Sequence, residues 1–431
     1  MIPRRGEEDR DPRAPLESGR HLGYHRPPFQ SQSEDEPASS PGSPPMSTPF
    51  PIIYFGNDWH AENRTSSHHI AERLAKKHPL LYVDSPGLRA PRASGRDMKK
   101  LWKKLGQTAS LPRKVGEQLW HMVLPQFPFR RLPFAKVLNR EIGALLIQRA
   151  ARHLGMEKPV IWFTVPHPGT LAGHLGERFS VYYCVDDYSA LPTVDKEQIR
   201  AVDQQLTEKA DLVFVSALTL LDAKKEMNKN LVYSPHGVDV EHFGRAATAE
   251  LPVAERARGL NHPVIGFFGL LEAWIDLDLL HFLAKSRPSW TFLIVGRVAV
   301  DVSQLEKLGN FVFVGPQPYP SLPSWAKAFD VAIYPGGKNE FVRNANPLKI
   351  REYLATGKPV VSVHSREVER FAEVVRIAHS NEDFLREIDD ALANDTTEAQ
   401  DTRRAYVSKM SWDARTAEVL TRVEEGMAEK R

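Results

Sequence analysis

Three stretches of the chain carry residue types that could do chemistry together. Asn346-Pro-Leu-Lys-Ile-Arg-Glu352 sets a cation, Lys349, and a carboxylate, Glu352, at a predicted helix start. The free amides and positive dipole end of such a helix attract an anion, phosphate above all. Asp186 and Asp187 stand side by side at the exit of the predicted strand 181–185. Adjacent carboxylates there suit binding of a hydroxyl or removal of its proton, and if close they push each other's pKa values apart. His167, just past the strand 160–163, is counted with them as a catalytic candidate. The third stretch is the loop 56–65, whose Asn57, Asp58, His60 and Arg64 are candidates for contacting a substrate. Each has an ordinary alternative: solvated helix charges, a helix cap, or a loop that merely connects.

The elements around these residues are legible. Leu348, Ile350, Tyr353 and Leu354 recur at helical spacing, with Pro347 at the start and Gly357 at the end, where those two residues are favoured. Strand 331–334 and the polar loop 336–344 precede this helix, and strand 359–363 follows it. Upstream, strands are predicted at 51–55, 80–83, 160–163, 181–185 and 210–216. Helices are predicted over 68–77, with Ser66 or Ser67 as cap, and over 196–209. Strands at 263–268, 290–296 and 312–315 and a last helix over 413–425, capped at Ser411, complete the pattern. Strands alternating with helices predict parallel, doubly wound sheets with ligands at the strands' carboxyl ends. Asp276 and Asp278 mimic a metal-binding pair, but Leu277, Leu279, Leu280 and Leu283 give the segment helical periodicity and place the acids in a first turn. No other His, Asp or Glu grouping suggests a metal, so none is expected.

Several of these segments together resemble the family-4 glycosyltransferases. That family carries an E-x7-E segment followed by Gly-x-Pro-Val-Val, an "ADxVxxxS" strand and a "PNGVDxxxF" exit. Here they stand as 344–361, Ala210 to Ser216, and Pro235 to Phe243. The resemblance implies an α/β, GT-B architecture of two Rossmann-like domains facing a central cleft. It assigns 49–242 to the acceptor side, 243–408 to the nucleotide-sugar side, and 409–431 to a helix packing back on the first domain. It implies retaining, metal-independent transfer of a sugar from a nucleotide donor to a hydroxyl, without a cofactor. Glu352 matches the Glu that binds the donor ribose. Gly269, Asn346, Pro347 and Leu348 belong to the same donor side.

Departures from the family are specific. Asn344 occupies the place of the first Glu, Asp186 that of a His near the reacting centre, and His236 that of an Asn. Leu270 and the run 273–275 stand where an Arg and a Lys usually contact the phosphates. Lys349, Arg297, Arg343 and the amides near Pro347 are the candidates to take over that charge. These losses keep two alternatives open: an epimerase acting on nucleotide sugars, and a degenerate binding or scaffold subunit.

Composition sets outer bounds. The 431 residues suffice for two or three domains, and 57 basic against 54 acidic residues do not mark a nucleic-acid binder. The single cysteine, Cys184, excludes an internal disulfide framework and fits a reducing cytoplasm. No signal-peptide pattern or membrane-spanning run is seen, and residues 1–48 read as a disordered tail. Between Met98 and Phe134, Lys and Arg mix with Trp, Leu and Phe. That mixture suits either a solvated charged face or an anionic membrane interface on the inner face of the cell membrane, and so a lipid-linked rather than a soluble carbohydrate acceptor.

Overall fold

A computed structural model describes residues 48–61, 64–84, 111–124, 133–191 and 194–430. The tail 1–47 and most of the basic stretch, 98–110 and 125–132, lie outside the described residues. The intervening 111–124 is a small antiparallel pairing at a sheet edge.

The first sheet has eight strands: β1 (Ile52–Gly56), β2 (Leu80–Asp84), β3 (Arg113–Lys114), β4 (Leu119–Val123), β5 (Val160–Phe163), β6 (Phe179–Cys184), β7 (Leu212–Val215) and β8 (Leu231–Tyr233). Their order is β3-β4-β2-β1-β5-β6-β7-β8, parallel except for β3 against β4. The second has six: β9 (Val264–Phe268), β10 (Thr291–Val295), β11 (Phe311–Gly315), β12 (Val331–Tyr334), β13 (Val360–Val363) and β14 (Arg376–Ala378). These are parallel throughout, in the order β11-β10-β9-β12-β13-β14. Parallel strands covered by helices on both faces read as continuous apolar runs, which is why Ile52 to Phe55 shows no alternation. Ile52 and Tyr54 enter the core on one face of the first sheet, and Ile53 and Phe55 the core on the other. The second sheet likewise separates two apolar cores.

Several local expectations shift by a residue or more. Helix α1 (Ser66–Leu74) begins earlier than predicted, and Thr65, not a serine, precedes it. The His68 Nδ1 accepts from the Thr65 amide at 3.1 Å, while Ser67 is buried against the Tyr82 hydroxyl at 3.0 Å. Helix α2 (Pro133–His153) was not anticipated, and α3 (Lys196–Lys209) matches its prediction. Asp276 caps α4 (Leu277–Ser286), accepting from the Leu279 amide at 2.8 Å, so that acid serves helix initiation. The loop 336–344 contains a short helix, Glu340–Asn344, capped by Asn339.

Helix α5 (Leu348–Thr356) ends where Gly357 turns left-handed at φ 82°, a conformation that glycine adopts at little cost. Helix α6 (Trp412–Glu429) returns to the first domain, where Trp412, Val419, Leu420 and Val423 complete its core. Two chain crossings therefore join the domains, and they pair where the Val238 amide donates to the Met410 carbonyl at 2.9 Å. Among the described residues no helix is long and apolar enough to cross a membrane, and no group of His, Cys, Asp or Glu is placed to hold a metal ion.

Candidate active site

The carboxyl ends of the two sheets face each other across a cleft of about 320 Å³. Asn57, Arg64 and Asp186 line it from the first domain, and Gly269, Pro347, Leu348, Lys349 and Glu352 from the second. Asp186 follows β6, whose carboxyl end points it inward. Lys349 and Glu352 sit in the opening turns of α5, so the anion-attracting end of that helix faces the same space.

These three charged groups define the electrostatics. Burial pushes the Asp186 carboxyl up to about 7, with neighbouring Asp187 adding to the effect and Lys349 opposing it. Burial also raises Glu352 to about 7, again against the pull of Lys349. Lys349 itself is lowered by burial, while Glu352 and Asp186 resist the shift. Among the described residues, none of the three side chains makes a hydrogen bond or close ion pair within the fold. Charged groups held in a cleft and left without partners are expected of a site that binds a polar ligand.

The adjacent aspartates diverge. The Asp187 Oδ1 accepts from the Ser189 amide at 3.1 Å and from its hydroxyl at 2.6 Å, capping the turn Tyr188–Ala190. Its Oδ2 accepts from the Asn344 side-chain amide at 3.0 Å. Asp186 alone lines the cleft, and Asn344, where the resemblance expects a sugar-binding Glu, faces Asp187 instead. Asn346 borders the cleft, but its side-chain amide is engaged elsewhere, donating to the Ser216 carbonyl at 2.7 Å and to Glu367 at 2.8 Å.

Other candidates are not brought to the cleft. Arg297 is exposed, and its part in the fold is a carbonyl that accepts from the Leu271 amide at 2.9 Å. Arg343 is exposed and borders a separate cavity beside His364 and Arg366. Of the three named replacement cations, the fold thus delivers Lys349. His167 opens the short turn His167–Leu171 away from the cleft lining. Asp58 caps its own loop by accepting from the His60 amide at 2.9 Å, and His60 is exposed with its ring edge-on to His121. Arg64 remains at the cleft, paired with Glu72.

The cleft also recruits residues not proposed from sequence. Ser66 Oγ lies 2.9 Å from His236 Nδ1 on the cleft wall, and burial lowers that imidazole to about 3, keeping it neutral. Tyr334 lines the floor, and Trp274 and Phe341 form an aromatic pair at 5.2 Å between ring centres. Tyr334 ends a predicted strand, which is a readable signal. The others are brought together only by the tertiary fold.

Comparison with known proteins finds family similarity in the second domain. Residues 262–399 match the family described as glycosyl transferases group 1. The C-terminal domain is that of a group 1 glycosyltransferase. A Bacillus subtilis protein described as a putative teichuronic acid biosynthesis glycosyltransferase, TuaH, is 26% identical over 334 residues, covering 73% of this chain and 80% of its own. Among solved structures, sucrose-phosphate synthase from Thermosynechococcus elongatus aligns with a TM-score of 0.66 at 14% identity, over 88% of this chain and 100% of that one. Anabaena HepE in complex with UDP and glucose aligns at 0.63 and 16% identity, over 87% and 100%. The glycosyltransferase adopts the GT-B fold, and its cleft lies where the two domains of that fold meet.

Proposed function

We propose that this glycosyltransferase moves a sugar from a UDP-activated donor to a hydroxyl of a growing surface polysaccharide, with retention and without a metal ion. The observation that carries this reading is the unpartnered triad across the cleft: Lys349 between two carboxylates, Glu352 on its own helix and Asp186 on the opposite domain. Lys349 and the first-turn amides of α5 hold the diphosphate as it gains charge on leaving. Glu352, ionised, accepts from the ribose hydroxyls. Asp186 faces the sugar and the incoming acceptor. The anomeric carbon–phosphate oxygen bond breaks as the acceptor oxygen bonds to the same face. The departing phosphate oxygen takes the acceptor's proton, so no side chain needs to be a base. Binding of UDP by a similarly folded protein and the polysaccharide role in the TuaH description support the choice of donor and pathway class.

Attachment to an anionic membrane that carries a lipid-linked acceptor is part of the proposal. Its support is the exposed apolar set Val137, Leu138 and Leu145 on α2, which follows the basic and aromatic stretch 98–134 in sequence. A thermal-shift screen of UDP-, GDP-, ADP- and dTDP-sugars, followed by product analysis, tests the core of the reading. A ligand at a hundred times its Kd stabilises by about 2.7 kcal/mol. Stabilisation by UDP-sugars with slow donor hydrolysis agrees with it. An altered sugar returned without hydrolysis marks an epimerase, and no binding at all marks a scaffold. Co-sedimentation with anionic vesicles at low salt tests the membrane part, and absence of binding there points to a soluble acceptor.

A further inference from the structure

Behind the donor helix, a buried polar cluster joins the two domains. Glu367 is 1% exposed and belongs to the second domain, yet two of its three hydrogen-bond donors come from the first. Its Oε1 accepts from the Leu218 amide at 2.6 Å, just past β7. Its Oε2 accepts from the Tyr233 hydroxyl, at the end of β8, at 3.0 Å and from the Asn346 amide at 2.8 Å. Asn346 also donates across the boundary to the Ser216 carbonyl at 2.7 Å, and its own oxygen accepts from Arg351 Nη1 at 2.6 Å. Arg351, 2% exposed, lies one residue before Glu352 on α5 and stacks over Phe371 at 4.8 Å.

Hydrogen-bonding groups this deeply buried are costly unless their partners are fixed, so the cluster has one low-energy arrangement. Asn346 immediately precedes Pro347, which leads into α5, and Ser216 directly follows β7, the strand beside β6, which delivers Asp186. Tyr233 lies five residues before Val238, where the two chain crossings pair. The cluster thus sits beside the covalent joint and touches both halves of the site.

Building on the glycosyltransferase reading, we infer that Glu367, Asn346 and Arg351 are positioning residues for transfer: they form a polar pivot that registers the start of the donor helix against the ends of β7 and β8. Closure of the domains turns about this pivot, so Asp186 meets Lys349 and Glu352 in one orientation. None of the three side chains needs to touch substrate. Donor affinity rests on α5 and its own domain, whereas productive transfer rests on the register between domains.

The test separates these two. Glu367→Ala, with Tyr233→Phe as a milder variant that removes one hydrogen bond, is compared with the parent. UDP Kd by calorimetry should change less than threefold. The kcat for transfer per folded molecule should fall at least tenfold in Glu367→Ala and about threefold in Tyr233→Phe, and the ratio of transfer to donor hydrolysis should fall in the same order. A loss of folding stability alone would leave that ratio at the parent value in the folded fraction, and this result overturns the pivot. Small-angle scattering provides a readout independent of chemistry: UDP should narrow the spread of domain arrangements in the parent and not in Glu367→Ala. If the parent transfers no sugar, the functional reading fails on its own, and the scattering comparison still decides the pivot. An identical response to UDP in both proteins overturns it.

Discussion

Lys349 enters the cleft by lying across Gly269. A side-chain carbon at position 269 would sit 2.0 Å from Lys349 Cε, and the backbone there holds φ 138°. The loop after β9 and α5 are thus matched through an absent side chain: the glycine makes room for Lys349, the cation proposed to serve where the family carries an Arg and a Lys.

Gly269→Ala should therefore mimic loss of the cation. The strained backbone costs about 1–3 kcal/mol of stability, and displacement of Lys349 weakens UDP. Calorimetry with UDP and with uridine makes the distinction. Both Gly269→Ala and Lys349→Met should weaken UDP about tenfold or more while changing uridine little. Equal weakening of both ligands would mean that Lys349 is structural.

Glu352→Gln keeps the shape of the side chain and removes its charge. Charge-assisted hydrogen bonds contribute about 1.5–3 kcal/mol, so donor affinity should drop roughly 10- to 150-fold with the fold intact. A folded variant that binds and turns over donor as the parent does would remove Glu352 from the site.

The neighbouring aspartates should separate in mutagenesis. Asp187→Ala removes a cap and the contact to Asn344, so it should cost about 0.5–2 kcal/mol in urea unfolding. Asp186→Asn relieves a buried charge without removing a hydrogen bond, so stability at pH 8 should hold or rise while transfer falls. The opposite pattern would reverse their roles.

Asp186 and Glu352 also predict a pH signature. Both are raised to about 7 in the folded chain, against about 4 when unfolded. Between those values the folded protein holds the extra protons, so the contribution of these two groups to stability declines as pH rises through the window and levels off above it. Urea midpoints of the parent minus those of Glu352→Gln, taken from pH 4 to 8.5, should fall with pH. Donor affinity should move the other way, rising through about pH 7 as Glu352 ionises. A difference curve that is flat or rises with pH would contradict this.

Much of the architecture was legible because its signals are local. Val331 to Val361 announced strand, helix and strand through apolar runs bounded by Pro347 and Gly357, and the structure places all three there. The Asp276 cap followed from the leucine periodicity beside it. What failed depended on direction or distance. Arg297 and Arg343 have the right charge in the right loops, but nothing local says that their side chains leave the cleft. Asn344 and Asp187 meet across 157 positions, and Ser66 and His236 across 170, so neither pairing leaves a mark on sequence spacing. The His68 partner to Thr65 was missed because a His occupies the place where Glu or Gln is the usual signal.

The return of α6 has a consequence for how this protein can be taken apart. The first domain is assembled from two stretches of chain, because Trp412 stacks on His69 at 5.0 Å and packs against Gly237. A stop codon placed before residue 412 would not trim an appendage; it would open the core of the first domain. A hybrid that borrows a new first domain by a single cut near residue 242 would carry a mismatched final helix into that core. Exchange of the first domain by recombination therefore requires two junctions, one at each crossing, with α6 travelling alongside the domain that it completes.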